Sequence, residues 1–158
     1  MKKLLQTSFA VIATALLTGS AAAATEFSCP ALESAVQVAP CPTEAELRHT
    51  YTGFCSDNAR LYGRDILLCA NYEDYRAEKN IALWESADAR FSGYLSCNDS
   101  AESIRASAAL RMHQDRPKGV TRVMCDYEND HRLEYRSREQ CRIEVENCKD
   151  GACRTVCE

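Results

Sequence analysis

Hydrophobic positions divide the chain into two unequal parts. Apolar residues run from Phe9 to Leu17 behind Met1-Lys2-Lys3, and small residues follow from Thr18 to Ala24. A charged start, a short apolar run and a small-residue exit are the order of a secretory signal peptide, so residues 1–24 are expected to be cleaved on export. The run is too short to cross ~30 Å of hydrocarbon, which argues against a membrane anchor. No cysteine follows Leu16-Leu17-Thr18-Gly19-Ser20, so lipid attachment is not expected either. Beyond residue 24 the apolar positions come in short, interrupted groups. They suit one modest core, in a domain spanning 25–158.

Within that domain, 25–42 reads as an arm, because Pro30, Pro40 and Pro42 make it a poor regular element. Thr43-Glu44-Ala45-Glu46 has the capping-box pattern and predicts a short helix. Tyr72 to Ala89 is rich in Glu, Ala and Lys, with Ile81, Trp84 and Phe91 near one helical face; a hairpin through Leu83-Trp84 is the alternative. Asp99-Ser100-Ala101-Glu102 is a second capping box, followed by Ile104, Ala108 and Met112 at helical spacing, and Arg116-Pro117-Lys118-Gly119 is turn chemistry. Thus 43–113 is expected to mix helix and hairpin, and 120–158 to form a β-meander.

Three segments share a strand-like run, a cysteine and a turn: Thr52–Asn58, Ser92–Asp99 and Arg122–Asp130. The first and third continue alike, each with Arg-Leu-x-x-Arg before a second cysteine, which suggests a duplicated hairpin. Asp150-Gly151, between Ile143–Glu146 and Arg154–Val156, is a strong signal for a tight hairpin turn. The class that emerges is α+β: a small disulfide-rich domain with two or three short helices and antiparallel β-hairpins.

Ten cysteines, Cys29, Cys41, Cys55, Cys69, Cys97, Cys125, Cys141, Cys148, Cys153 and Cys157, all follow the expected cleavage site. An even number in a short exported chain reads as five disulfides. No Cys-x-x-Cys occurs, which argues against a zinc site and against thioredoxin-type chemistry. The hairpin pattern predicts Cys55–Cys69, Cys125–Cys141 and Cys148–Cys153. Cys29–Cys41 would loop the arm back, and Cys157 would be left for Cys97.

Removing Lys2 and Lys3 from 19 basic residues against 23 acidic leaves a net charge of −6. Such a domain has no electrostatic reason to hold nucleic acid, and no second run is long enough to span a membrane. His49, His113 and His131 have no ligand spacing, so no metal is expected, nor any other cofactor; His131 should be solvated in its turn. A Gly-x-Ser-x-Gly elbow is missing and no cysteine is spare, so nucleophilic catalysis is not expected. Glu73, Asp74, Glu85 and Asp88 around Trp84 leave open a small cell-wall-directed hydrolase using paired carboxylates.

The charge carriers are uneven: 14 arginines and three lysines follow residue 24. Arg132, Glu134 and Arg136 should share one strand face near Arg138 and Arg142. Arg forks grip carboxylates, but interleaved acids also make a self-neutralising ladder, which is the favoured alternative. The candidate binding surface is therefore Arg132, Arg136, Arg138 and Arg142, with Tyr72, Tyr75 and Trp84, aromatics for which a place in the core is the favoured alternative. The expectation is a periplasmic or secreted, non-catalytic interaction protein. An inhibitor, immunity factor or envelope factor, it would present a rigid disulfide-locked surface to a protein or glycan partner in the cell envelope. A purely structural envelope protein is the remaining alternative.

Overall fold

The computed structural model describes residues 24–158; the export signal expected over 1–24 lies outside them but for its last residue. Nine strands form two antiparallel sheets. The larger contains β2 (Val36–Gln37), β3 (Ile81–Glu85), β4 (Ser92–Ser96), β5 (Ala109–Asp115), β6 (Thr121–Tyr127) and β7 (Arg132–Ser137), in the order β2-β3-β4-β7-β6-β5. The smaller has β9 (Arg154–Cys157) between β1 (Thr25–Phe27) and β8 (Cys141–Val145). The sheets meet beside β5, where Met112 donates to Glu146 O at 2.7 Å and Cys148 to Leu110 O at 3.1 Å. Among the described residues no helix is long and apolar enough to cross a membrane.

Alternation along the strands places the core. Val123, Cys125 and Tyr127 of β6 point inward with Leu133, Leu95, Trp84 and Met112 from its neighbours, while Arg122 and Asp126 point out. The arm closes this apolar face. It crosses the molecule, pairing as β1 with β9 and as β2 with β3, and buries Leu32 and Ala35. Cys29–Cys125 and a 2.7 Å hydrogen bond from the Tyr127 hydroxyl to Pro30 O pin it to β6. Phe27 meets Phe91 and Tyr135 edge-on at 5.6 and 4.8 Å between ring centroids, which joins the two sheets.

Residues 44–79 form a helical unit: α1 (Glu44–Cys55), α2 (Ile66–Ala70) and α3 (Tyr72–Lys79). The expected capping box starts α1, with Thr43 N donating to Glu46 Oε2 at 2.7 Å, and Asn71 caps α3. Tyr51, Phe54, Tyr72 and Tyr75 make its small aromatic core, and Cys55–Cys69 closes it. Cys41–Cys97 and a 2.9 Å hydrogen bond from Asn80 to Asn98 tie it to the end of β4.

The α+β class and the participation of all ten cysteines in bridges agree with the sequence reading. Cys55–Cys69 and Cys148–Cys153 pair as expected. The other three expected pairings are wrong. The chain makes Cys29–Cys125, Cys41–Cys97 and Cys141–Cys157. Burying Leu32 and Ala35 stretches the arm across the sheet, so Cys29 and Cys41 reach different strands instead of each other. Cys141 and Cys157 are register partners at the open end of the β8–β9 hairpin. The principle of a bridge across a hairpin mouth holds, but in another hairpin.

The repeat fails at its first unit. Thr52–Cys55 continues α1, since a helix begun by a good cap runs on and places Leu47, Tyr51 and Phe54 on its inner side. The helix expected over 72–89 ends at Lys79, and the alternative hairpin through Leu83-Trp84 is what forms. The next one, α4 (Ala101–Ala106), stops before Met112, which lies in β5. Ile104, Ala108 and Met112 are four apart, a spacing that fits strand alternation as well as a helix.

At Gly93 a β-carbon would sit 2.1 Å from Arg132 O, because β4 and β7 touch closely where Ser92 pairs with Glu134. Gly93→Ala should therefore cost about 1–3 kcal/mol through forced backbone displacement. A lower urea midpoint with an unchanged slope is the expected result.

Candidate functional site

The arginines expected to form a binding surface do not form one patch. Arg132 and Arg136 project from the outer face of β7, Arg138 lies in the β7–β8 turn and Arg142 on β8. Arg132 Nε reaches Asp126 Oδ1 at 2.6 Å, Arg136 Nη2 reaches Glu134 Oε2 at 2.7 Å, and Arg142 Nη2 reaches Glu144 Oε1 at 2.9 Å. Arg122 is bidentate to Asp115 on the same outer face. The face is a ladder that answers its own charge, with exposed Tyr94 beside it. Trp84 and Tyr75 are withdrawn from solvent, at 2% and 4% exposure, because the sheet core and the helical core each need a large apolar filler. Tyr72 is half-buried beneath the Arg48 guanidinium, 4.3 Å from its ring centroid.

Of the four candidate carboxylates, Glu73 and Asp74 sit in the first turn of α3, Glu85 on β3 and Asp88 in the β3–β4 turn. A hydrogen bond from Ser86, helped by the Arg90 backbone amide, holds the Asp88 carboxyl below its ordinary range. That environment favours a carboxylate and opposes a general acid.

His131 is buried, contrary to the expectation of a solvated side chain. Asn129 and Asp130, both left-handed at φ 59° and 58°, turn the chain so that His131 tucks inward. Its Nε2 has no hydrogen-bond partner in the structure and lies 4.0 Å from Asp99 Oδ2. The Sγ atoms of Cys29, Cys148 and Cys153 lie within 4.8 Å of one another, but all three are disulfide sulfurs, whereas a metal requires thiolate.

What the outer surface does present is apolar. Tyr62, Ile66 and Leu67 are 75%, 52% and 81% exposed on the segment that joins α1 to α3. A wide helical turn over Arg60–Arg64, broken at Gly63, leads into α2. Cys69 points inward there to meet Cys55, which forces its neighbours on the short helix outward. The sequence signal was Ile66-Leu67-Leu68, because three consecutive residues of a helix point about 100° apart and cannot all face one core. The hairpin reading of that segment obscured it.

A second feature is a cleft of about 790 Å³ between the arm, the end of α4, the start of β5 and the 147–151 loop. Glu33, Arg105, Lys149 and Asp150 are among its lining residues, and Cys29 and Cys148 lie in its wall. Fold and bridges together define a small, cysteine-rich α+β protein. No protein-family model matches the chain, and comparison with curated proteins and with solved structures finds no match either.

Several carboxyls are held below their ordinary range. For Asp115 the main cause is the Arg122 guanidinium, for Glu46 the Thr43 backbone amide, and for Glu44 the Tyr72 hydroxyl followed by Arg48 and Arg76. A carboxyl lowered in the folded state lends stability that is complete at neutral pH and is lost as the pH falls through its folded-state value. The denaturant midpoint should therefore decline only in acid, below the ordinary carboxylate range. In Arg122→Met the part of that decline due to Asp115 should vanish, as read from urea midpoints across acid pH.

Proposed function

We propose that this chain is an exported, non-catalytic interaction domain whose contact surface for a protein partner is the apolar tip formed by Tyr62, Ile66 and Leu67. The observation that carries this reading is the exposure of three large apolar residues within six positions, on a segment closed by Cys55–Cys69. An exposed apolar cluster lowers solubility, and soluble proteins keep such clusters where a partner covers them. Covalent closure of the tip reduces the ordering cost of association, because the anchors are held in place before contact. Tyr62 is a large anchor with few rotatable bonds, the type that dominates binding energy at interface centres.

The compartment fits the same reading. Five disulfides and the lack of a membrane-spanning helix among the described residues are consistent with an extracellular or secreted protein. A periplasmic location and removal of residues 1–24 are part of the proposal. The self-neutralised face of β7 and β6 suits a solvated surface, with the tip as the sticky end.

The test compares oxidised 25–158 with its Tyr62→Ser/Leu67→Ser variant. Both positions are solvent-exposed, so unfolding midpoints should agree to within about 0.5 kcal/mol. An envelope or secreted-fraction partner captured stoichiometrically by the parent should bind the variant at least ~30-fold more weakly, the consequence of losing about 2 kcal/mol of hot-spot contact. Equal capture by both proteins removes the tip from the reading. Turnover of peptidoglycan fragments without a stoichiometric partner replaces it with the hydrolase.

A further inference from the structure

Two disulfides meet in the wall of the 790 Å³ cleft. Cys148 Sγ lies 3.5 Å from Cys29 Sγ, although 119 positions separate them in sequence. Both sulfurs are already bonded, Cys29 to Cys125 and Cys148 to Cys153, so this approach is a non-bonded contact. It is also the separation from which a thiolate attacks a disulfide sulfur. Exchange runs through such an attack, and its rate depends on access and on which sulfur is reached.

Access comes from one side only. Cys29 and Cys148 line the cleft, Cys29 partly exposed and Cys148 only 3% exposed, whereas Cys125 and Cys153 do not reach it. Cys148–Cys153 spans five positions; the residues between the two buried cysteines are exposed, with Asp150 and Gly151 left-handed at φ 57° and 75°. Opening it leaves the β8–β9 ladder intact, since Cys141–Cys157 holds the far end of that hairpin. Opening Cys29–Cys125 first would release the arm from β6. The contact therefore links a bridge the fold can spare to one it needs.

We infer that the cleft is a thiol–disulfide exchange site for a small dithiol, with Cys148–Cys153 as the entry bridge and Cys29–Cys125 as its internal acceptor. A thiolate of the dithiol attacks Cys148 Sγ, and Cys153 leaves as thiolate and takes a proton. The second thiol of the reagent attacks its own sulfur in the mixed disulfide, which releases Cys148 as thiolate and leaves the reagent oxidised. Cys148 then attacks Cys29 Sγ; the Cys29–Cys125 bond breaks and Cys125 takes a proton. The reagent has given two electrons and two protons, now held as the thiols of Cys125 and Cys153. Throughout, the arm keeps a covalent anchor. That anchor passes from β6 to the loop after β8, and Leu32 and Ala35 have no need to leave the core.

The direct test is Cys153→Ser, which leaves Cys148 unpaired beside Cys29–Cys125. Non-reducing peptide mapping under acid quench should find Cys29–Cys148 bridged, with the free thiol on Cys125, in a fraction of the molecules. A free thiol confined to Cys148 overturns the inference. If this variant does not fold, the unmodified oxidised protein is treated under native conditions with limiting dithiothreitol and alkylated. Molecules that have lost Cys148–Cys153 should carry label on Cys125 and Cys153. Label on Cys148 and Cys153 with Cys29–Cys125 intact overturns it equally. Neither readout depends on the apolar tip, so its outcome is separate from that of the interaction reading.

Discussion

The arm from Thr25 to Pro42 is the constraint on which the rest of the structure depends. A six-stranded sheet with Val123, Cys125, Leu133, Trp84 and Leu95 on one side must cover that side, and among the described residues one short helix, α4, contributes Ile104 there. The arm completes the cover by laying Leu32 and Ala35 against the sheet while pairing with both sheets at its ends. An extended segment with three prolines makes few hydrogen bonds of its own and is costly to order. Cys29–Cys125 offsets that cost. It closes a separation of 96 residues, worth about 4–5 kcal/mol in the chain-entropy model. The Tyr127 hydroxyl donating to Pro30 O adds a part-buried hydrogen bond at the same point.

The remaining bridges divide the work by location. Cys41–Cys97 joins the helical unit to the sheet, where few other contacts do so, and Cys55–Cys69 closes that unit on itself. Cys141–Cys157 and Cys148–Cys153 fasten the two ends of one hairpin. Small domains bury little apolar surface and gain security from such links. One result is that short helices such as α2 persist, at a length where an isolated helix is unstable in water. An apolar tip can then be displayed without collapsing onto the core.

Charge and apolar surface are segregated. Arg122, Arg132 and Arg136 each meet an acid on the outer sheet face, so little net field reaches solvent. Exposed pairs of this kind add little stability. Their effect is to keep a broad strand surface hydrated and unattractive to other sheets. The concentrated apolar exposure lies elsewhere, at Tyr62 and Leu67, and the sulfur contact lies in a cleft on neither surface. The proposed partner surface and the proposed exchange site are thus physically separate.

By itself the sequence determined the α+β class, the capping box that starts α1, the outward placement of Arg132, Glu134 and Arg136, and the two bridges closest in sequence; α4 starts instead from Ser100, which accepts from Ser103 N, and not from the expected Asp99–Glu102 box. Each of these rests on interactions within a few positions: a side chain capping a nearby amide, a side-chain period of two, or a short loop that keeps its cysteines together. Tertiary structure decided the rest. Cys29 and Cys41 look like partners until Leu32 and Ala35 are drawn under the sheet, and Met112 looks helical until β6 offers it a ladder. Tyr75 and Trp84 could fill a core or line a groove on sequence alone, and the assembled fold makes each the large filler of its own core. Apolar burial is satisfied by the fold as a whole, so where an arm runs, and which sulfurs it brings together, is settled only when every element competes for the same interior.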